Sequence, residues 1–184
     1  MTTAFHHHGG RLAAAKAVYP DGPSPWLDLS TGINPEPWVG PRASLDDLRR
    51  LPDPDALARL ERTAARAFGV DHERVCAVPG AEAGLRALPV LTGAASAAVV
   101  APTYGGHGEA WDAATIPVAE IAALSDSAAE ATILVNPNNP DGAVHRPVRL
   151  ADLARRLSRE GRWLIVDESF VEATPELSVA AETA

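Results

Sequence analysis

Four groups capable of chemistry stand where apolar runs of this sequence stop. The run beginning at Ile133 breaks into NPNNPDG, which sets Asn139 among prolines and ahead of Gly142. The run WLIV from Trp163 ends in Asp167. AAVVA, from Ala97, leads into PTYGG with Tyr104, and Val78 leads into Pro79, Gly80, Ala81 and Glu82. A carboxylate at a strand end can face a cation, an amide can donate to an oxygen, and an aromatic can stack on a planar ring. Backbone N–H groups at a helix start can receive an anion. Each has an ordinary alternative: a buried ion pair for Asp167, an Asx-rich turn for the asparagines, a packing wedge for Tyr104 and a plain helix start for Ala81.

These groups need elements to position them. A short helix is predicted over Arg11 to Val18 and a short strand over Trp26 to Leu29. Asp53 as N-cap, Pro54 at the first turn and apolar residues at 57, 60, 64, 67 and 68 predict a helix that Gly69 ends. Downstream, strands at Arg74 to Val78, Ala97 to Ala101, Thr115 to Val118, Thr132 to Val135 and Trp163 to Val166 alternate with helices. The helices run from Ala81 to Leu91, after the loop PTYGGHG through Trp111, and from Val148 to Ser158. Continuous apolar strands between amphipathic helices predict a three-layer α/β/α fold on a mostly parallel sheet. Ligands bind at the carboxyl ends of such strands, where all four polar loops fall.

The chain has 184 residues, 46% of them hydrophobic, enough for a real core. The net charge of −8 argues against a nucleic-acid partner but not against a phosphorylated ligand, which a helix N-terminus binds locally. Of sixteen basic side chains only Lys16 is a lysine. No run reaches membrane-spanning length and no signal peptide is visible, so the chain is read as cytoplasmic with no membrane partner. The lone Cys76 excludes an internal disulfide and a cysteine-cluster metal site, and its apolar neighbours predict a buried thiol. His6, His7 and His8 cannot all face one ion, so no metal is assigned. His72, His107 and His145 have no evident partners and are read as exposed. No G-x-G-x-x-G follows the first strand, which disfavours a dinucleotide enzyme.

The order PGAE, PTYGG, NPNNPDG, VDESF resembles the large domain of fold-type I pyridoxal-phosphate enzymes, the class I/II aminotransferase family. HHGG, TGINP, LPDPD and DESFVEATPELS are similar to the threonine-phosphate decarboxylase branch of cobalamin biosynthesis, which makes aminopropanol phosphate. The resemblance implies pyridoxal 5'-phosphate as cofactor and a small phosphorylated amino acid as substrate. Asp167 would face the ring nitrogen, Asn139 would donate to the phenolic oxygen, Tyr104 would stack, and Gly80, Ala81 and Glu82 would cradle the phosphate. His8, Gly9 and Asn34 would lie on the substrate side. Residues 1–40 would form an N-terminal arm and 41–184 an incomplete cofactor-binding domain, with the C-terminal small domain absent. Two departures stand out. Phe170 replaces a tyrosine common in the family, and Ala81 replaces a hydroxyl residue.

The Schiff-base lysine of the family lies well downstream of the aspartate, and Lys16, in an N-terminal helix, does not match it. The chain is therefore expected to stop before that lysine, to be inactive alone, and to leave a sheet edge and apolar faces uncovered. Relatives of this kind build homodimers; a complementary C-terminal chain is the other partner implied. Two further readings stay open: a histidinol-phosphate-type aminotransferase, and a non-catalytic pyridoxal-phosphate-binding or assembly fragment.

Overall fold

Small and β-branched residues in four short runs build a parallel sheet in the computed structural model, which describes residues 9–34, 36–111, 114–117 and 121–182. The strands are β1 (Ala97–Ala101), β2 (Ala114–Pro117), β3 (Ala131–Val135) and β4 (Trp163–Asp167), in the spatial order β2-β1-β3-β4. All three pairings are parallel. The register sets Val99 beside Ile133, Ile133 beside Ile165 and Val135 beside Asp167. Every residue of β3 is buried, as expected for a parallel strand covered on both faces.

The alternation of side chains divides the core in two. Ala97, Val99, Ala131 and Ile133 face one way, with Trp111 and Ile165 packed beside them. Val100 and Leu134 face the other, against Leu150, Leu153 and Leu157, with Leu124, Val179, Leu164 and Val166 completing that layer. The three leucines come from α5 (Pro147–Arg159), where spacings of three and four residues put them on one stripe. Pro147 opens this helix without losing a needed N–H. The covering helices α3 (Ala81–Thr92) and α4 (Gly105–Trp111) precede and follow β1.

Helix α2 (Pro54–Phe68) forms as its ends predict. The Asp53 carboxylate accepts the Asp55 N–H at 3.0 Å, and Gly69 closes the helix in the left-handed region. Its apolar positions Leu57, Leu60 and Phe68 nevertheless remain exposed, and Ala65 is its buried residue. No described helix is long and apolar enough to cross a membrane.

Residues 1–51 and 52–184 form two separate units. The first holds α1 (Leu12–Val18) and a loop in which Ser30 Oγ accepts the Gly10 N–H at 2.8 Å. The strand predicted at Trp26 to Leu29 is not formed: Leu27 and Leu29 are 78% and 82% exposed, with no strand among the described residues of this unit to pair with. In the second unit, Arg74 to Val78 is also not a strand. A one-turn 3-10 helix at His72–Arg74 gives way to irregular chain, and the Ala77 N–H bonds the Glu61 carboxylate at 3.0 Å instead of a ladder partner. Cys76 within this segment is consequently exposed, not buried as its apolar neighbours suggested.

Candidate active site

Because the strands are parallel, the loops after β1, β3 and β4 emerge on one edge. There the second unit forms a pocket of about 250 Å³, at the small end of ligand cavities, lined by Ala81, Glu82, Tyr104, Asn139 and Asp167. Ser169 and Phe170 also line it. Five residues singled out from sequence, drawn from four separate segments, thus share one cavity. Gly80, the N-cap of α3, adjoins it.

Asp167 is the last residue of β4, held in register with Val135. Its Oδ2 lies 2.9 Å from His107 Nε2, while Oδ1 accepts the Ser169 N–H at 2.8 Å and the Ser169 hydroxyl. The His107 bond is the main cause of a pKa lowered from the usual 3.8 to about 2; burial opposes it and Ser169 adds to it. The carboxylate is therefore ionised, with no proton to give, so Nε2 carries the hydrogen of this bond. Its acid side follows from the sign of the shift. A folded-state pKa below the unfolded one stabilises the fold above about pH 4, and this contribution, roughly 2 kcal/mol, is lost as pH falls through 4 toward 2. Chemical denaturation between pH 6 and about 2.5 is expected to show that loss.

His107 corrects the sequence reading, which placed it in solvent without a partner. It is 2% exposed. It follows Tyr104 by three residues, one helical turn, so both side chains turn toward the same region, with ring centroids 6.0 Å apart in an edge-on arrangement. That spacing within TYGGH was the available signal. His107 Nδ1 is buried and has no partner among the described residues. Of the other histidines, His72 is exposed beside Asp71, whereas His145 is partly buried, and burial lowers its pKa.

The three asparagines of NPNNPDG divide the work. Asn136 is fully buried; its amide accepts the His145 N–H at 2.8 Å and donates to the carbonyls of His145 and Leu177 at 3.1 and 3.3 Å. Asn138 donates to the Pro102 carbonyl and to Asp141, and accepts from the Thr103 hydroxyl, so it ties the loop after β3 to the loop after β1. Asn139 has no hydrogen-bond partner among the described residues and lines the pocket, leaving its amide available.

At the start of α3, Gly80 takes φ +92 and an added Cβ would meet nothing within 4 Å. The N–H groups of Ala83 and Gly84 return to the Gly80 carbonyl, while those of Ala81 and Glu82 have no partner among the described residues, as is usual at a helix end. Together the pocket offers an anion seat at α3, an aromatic face at Tyr104, an amide donor at Asn139 and a fixed negative charge at Asp167.

Gly9 and Asn34 lie in the first unit. Gly9 packs so closely on Ser30 that a Cβ would overlap its carbonyl, and the Asn34 side chain accepts the Glu36 N–H at 2.9 Å. His8 is outside the described residues.

Residues 36–183 match the family described as Aminotransferase class I and II. The threonine-phosphate decarboxylase of Pseudomonas aeruginosa is 40% identical over 179 residues, covering 95% of this chain and 53% of its own length. That of Sinorhizobium sp is 38% identical over 176 residues, with coverages of 94% and 53%. The chain spans about half the length of the curated relatives it matches. In fold it is similar to the histidinol-phosphate aminotransferase from Sinorhizobium meliloti, solved in complex with pyridoxal-5'-phosphate, with a TM-score of 0.60 at 23% identity over 73% of this chain and 40% of that one.

Proposed function

Because this chain belongs to the class I and II aminotransferase family, we propose that the pocket at the carboxyl edge of its sheet binds pyridoxal phosphate. We further propose that the protein is of threonine-phosphate decarboxylase type, acting on a phosphorylated amino acid in cobalamin synthesis. The observation that carries the reading is the convergence of Asp167, Asn139, Tyr104 and the α3 N-terminus on one cavity, with Asp167 held ionised by a buried histidine. The 40% identity to a threonine-phosphate decarboxylase supports the substrate class.

The residues fit the cofactor on their own chemistry. Asn139 has an uncommitted amide, Gly80 leaves open space, and Ala81 and Glu82 have N–H groups without a partner among the described residues. When bound, pyridoxal phosphate supplies an electron-poor ring that accepts the electron pair released as a bond at the substrate α-carbon breaks. Asp167 would face the ring nitrogen and hold a proton there, which would keep the ring electron-poor. His107 occupies Oδ2 and Ser169 occupies Oδ1, so the carboxylate can neither rotate freely nor protonate near neutral pH. Tyr104 offers its ring face, and Ala81 and Glu82 offer N–H groups to the phosphate. Phe170 has no donor, the Ser169 hydroxyl is committed to Asp167 and the Tyr104 hydroxyl to Glu82. Asn139 is thus the side-chain donor left for the phenolic oxygen among the described lining residues.

Lys16 lies on α1 in the first unit and is exposed. Cofactor added to the 184-residue chain is accordingly expected to bind without a covalent bond, as an absorbance and circular-dichroism signal that survives gel filtration but is not fixed to the protein by borohydride. Covalent fixation on Lys16 would overturn the assignment of the site. Joined to the C-terminal half of the Pseudomonas aeruginosa relative and given threonine phosphate, the chain is expected to release carbon dioxide and leave aminopropanol phosphate. A keto acid formed from an amino donor would instead make it a transferase.

A further inference from the structure

Glu82 is out of place beside an anion seat. It is the second residue of α3, and a carboxylate directed at the helix end would repel the phosphate that the helix end attracts. The structure shows where the charge goes instead. Oε1 accepts from Arg86 Nε and lies 2.8 Å from Arg86 Nη2, one turn further along α3. Oε2 accepts the Tyr104 hydroxyl at 3.3 Å. Arg86 also reaches Glu109 on α4 at 3.4 Å. The carboxylate is therefore neutralised within α3 and directed across to the loop that starts α4.

Tyr104 needs such a tie. It is 41% exposed and projects from a glycine-rich loop, so packing alone does not fix its ring. One edge is set by His107. Another is set by Gly106, where an added Cβ would sit 2.4 Å from the ring. Among the described residues, Glu82 is the polar anchor of the hydroxyl.

We propose that Glu82, neutralised by Arg86, is a positioning residue that sets the plane of the Tyr104 ring over the pocket. Cofactor stacking in this chain then depends on an acidic side chain of α3 as well as on the aromatic itself. The proposal rests on the reading of the pocket as a pyridoxal-phosphate site and assigns a role to a side chain which that reading uses only through its N–H.

The chain has two tyrosines, so the tie can be read without cofactor. The Tyr104 phenol is pushed above its usual pKa by burial first and then by the Glu82 charge and hydrogen bond. Ultraviolet titration of the 184-residue chain, with Tyr104→Phe to assign the step, is expected to show that step moving down in Glu82→Ala. Pyridoxal phosphate added to the same proteins gives the second readout. In Glu82→Ala the Kd is expected to rise roughly three- to tenfold, as for loss of one hydrogen bond, and the visible circular dichroism of the bound cofactor to shrink. Glu82→Gln keeps an acceptor and is expected to retain most of that band; far-ultraviolet dichroism checks that all variants are folded. If the wild-type chain binds and Glu82→Ala matches it in both phenol titration and dichroism, the positioning role is overturned and the site assignment stands. If the wild-type chain does not bind pyridoxal phosphate, the site assignment falls and takes this role with it, whatever the phenol titration shows.

Discussion

Asp167→Asn weakens pyridoxal-phosphate binding by two to three orders of magnitude and shrinks the acid limb of the stability curve. Both effects come from one charge. Asparagine has nearly the same shape and can still accept from Ser169, so the β4 end and its register with Val135 survive. What disappears is the anion opposite the proposed ring nitrogen. Removing one member of a largely buried charge pair costs about 3–4 kcal/mol, or roughly 10²–10³ in affinity. A neutral hydrogen bond elsewhere in the pocket is worth only about 0.5–1.5 kcal/mol, so no other single substitution there should match it. Titration of cofactor into wild-type and variant chains measures the first effect. Denaturant melts measure the second: the loss of stability between pH 4 and about 2 should be smaller in the variant by roughly 2 kcal/mol, because Asp167 no longer contributes while the lowered carboxylates of Asp28, Asp47, Asp71 and Asp141 remain. A variant that binds the cofactor as tightly as wild type would remove Asp167 from the site. A variant that keeps the acid limb in full would assign that limb to other carboxylates.

The acid limb also shows which parts of this site sequence could reveal. Asp167, Asn139 and Tyr104 could be placed at one cavity from sequence because a parallel sheet sends the loops after its strands to one edge, whereas Glu82 reaches that cavity from the start of α3, which no described strand precedes. That rule needs only the order of apolar runs. β1, β3, β4 and α5 were legible for the same reason: their patterns of burial are local. His107 was not. Its partner lies sixty residues away, on a strand two positions across the sheet, and nothing around TYGGH states that pairing. Arg74 to Val78 failed in the opposite sense. Its composition suits a strand, but a strand needs a neighbour, and the Glu61 carboxylate takes the N–H that a neighbour would have used. Cys76 went wrong with it, since burial of that thiol was inferred from apolar neighbours of which Ala77 and Val78 are themselves exposed. Residue type and spacing therefore located the loops, while the partners within them depended on packing across the sheet.

The asparagines of NPNNPDG are the sharpest case, since three identical side chains within four positions have different roles, and substitution is expected to separate them. Asn136→Ala leaves the His145 N–H and the carbonyls of His145 and Leu177 without their partner in a partly buried setting. Each such orphan costs about 1–3 kcal/mol. Even with relaxation, a total of roughly 3–5 kcal/mol is a large share of the 5–15 kcal/mol that holds a domain together. This variant is expected to melt at much lower denaturant or not to fold. Asn138→Ala loses the tie to Pro102 and Thr103 at a partly exposed site, where water can replace some of it, and about 1–2 kcal/mol is expected. Asn139→Ala breaks no described bond in the chain, so its melt should overlay that of wild type while its cofactor affinity falls severalfold. Denaturant melts and cofactor titrations on the three variants decide the matter. If Asn139→Ala destabilises the fold as much as Asn136→Ala, its amide is structural and the pocket has lost its donor for the phenolic oxygen. If Asn139→Ala is silent in both assays, the oxygen finds its donor elsewhere. The motif works only if two of its amides are consumed in shaping the loop, because that rigidity is what holds the third one toward the cavity.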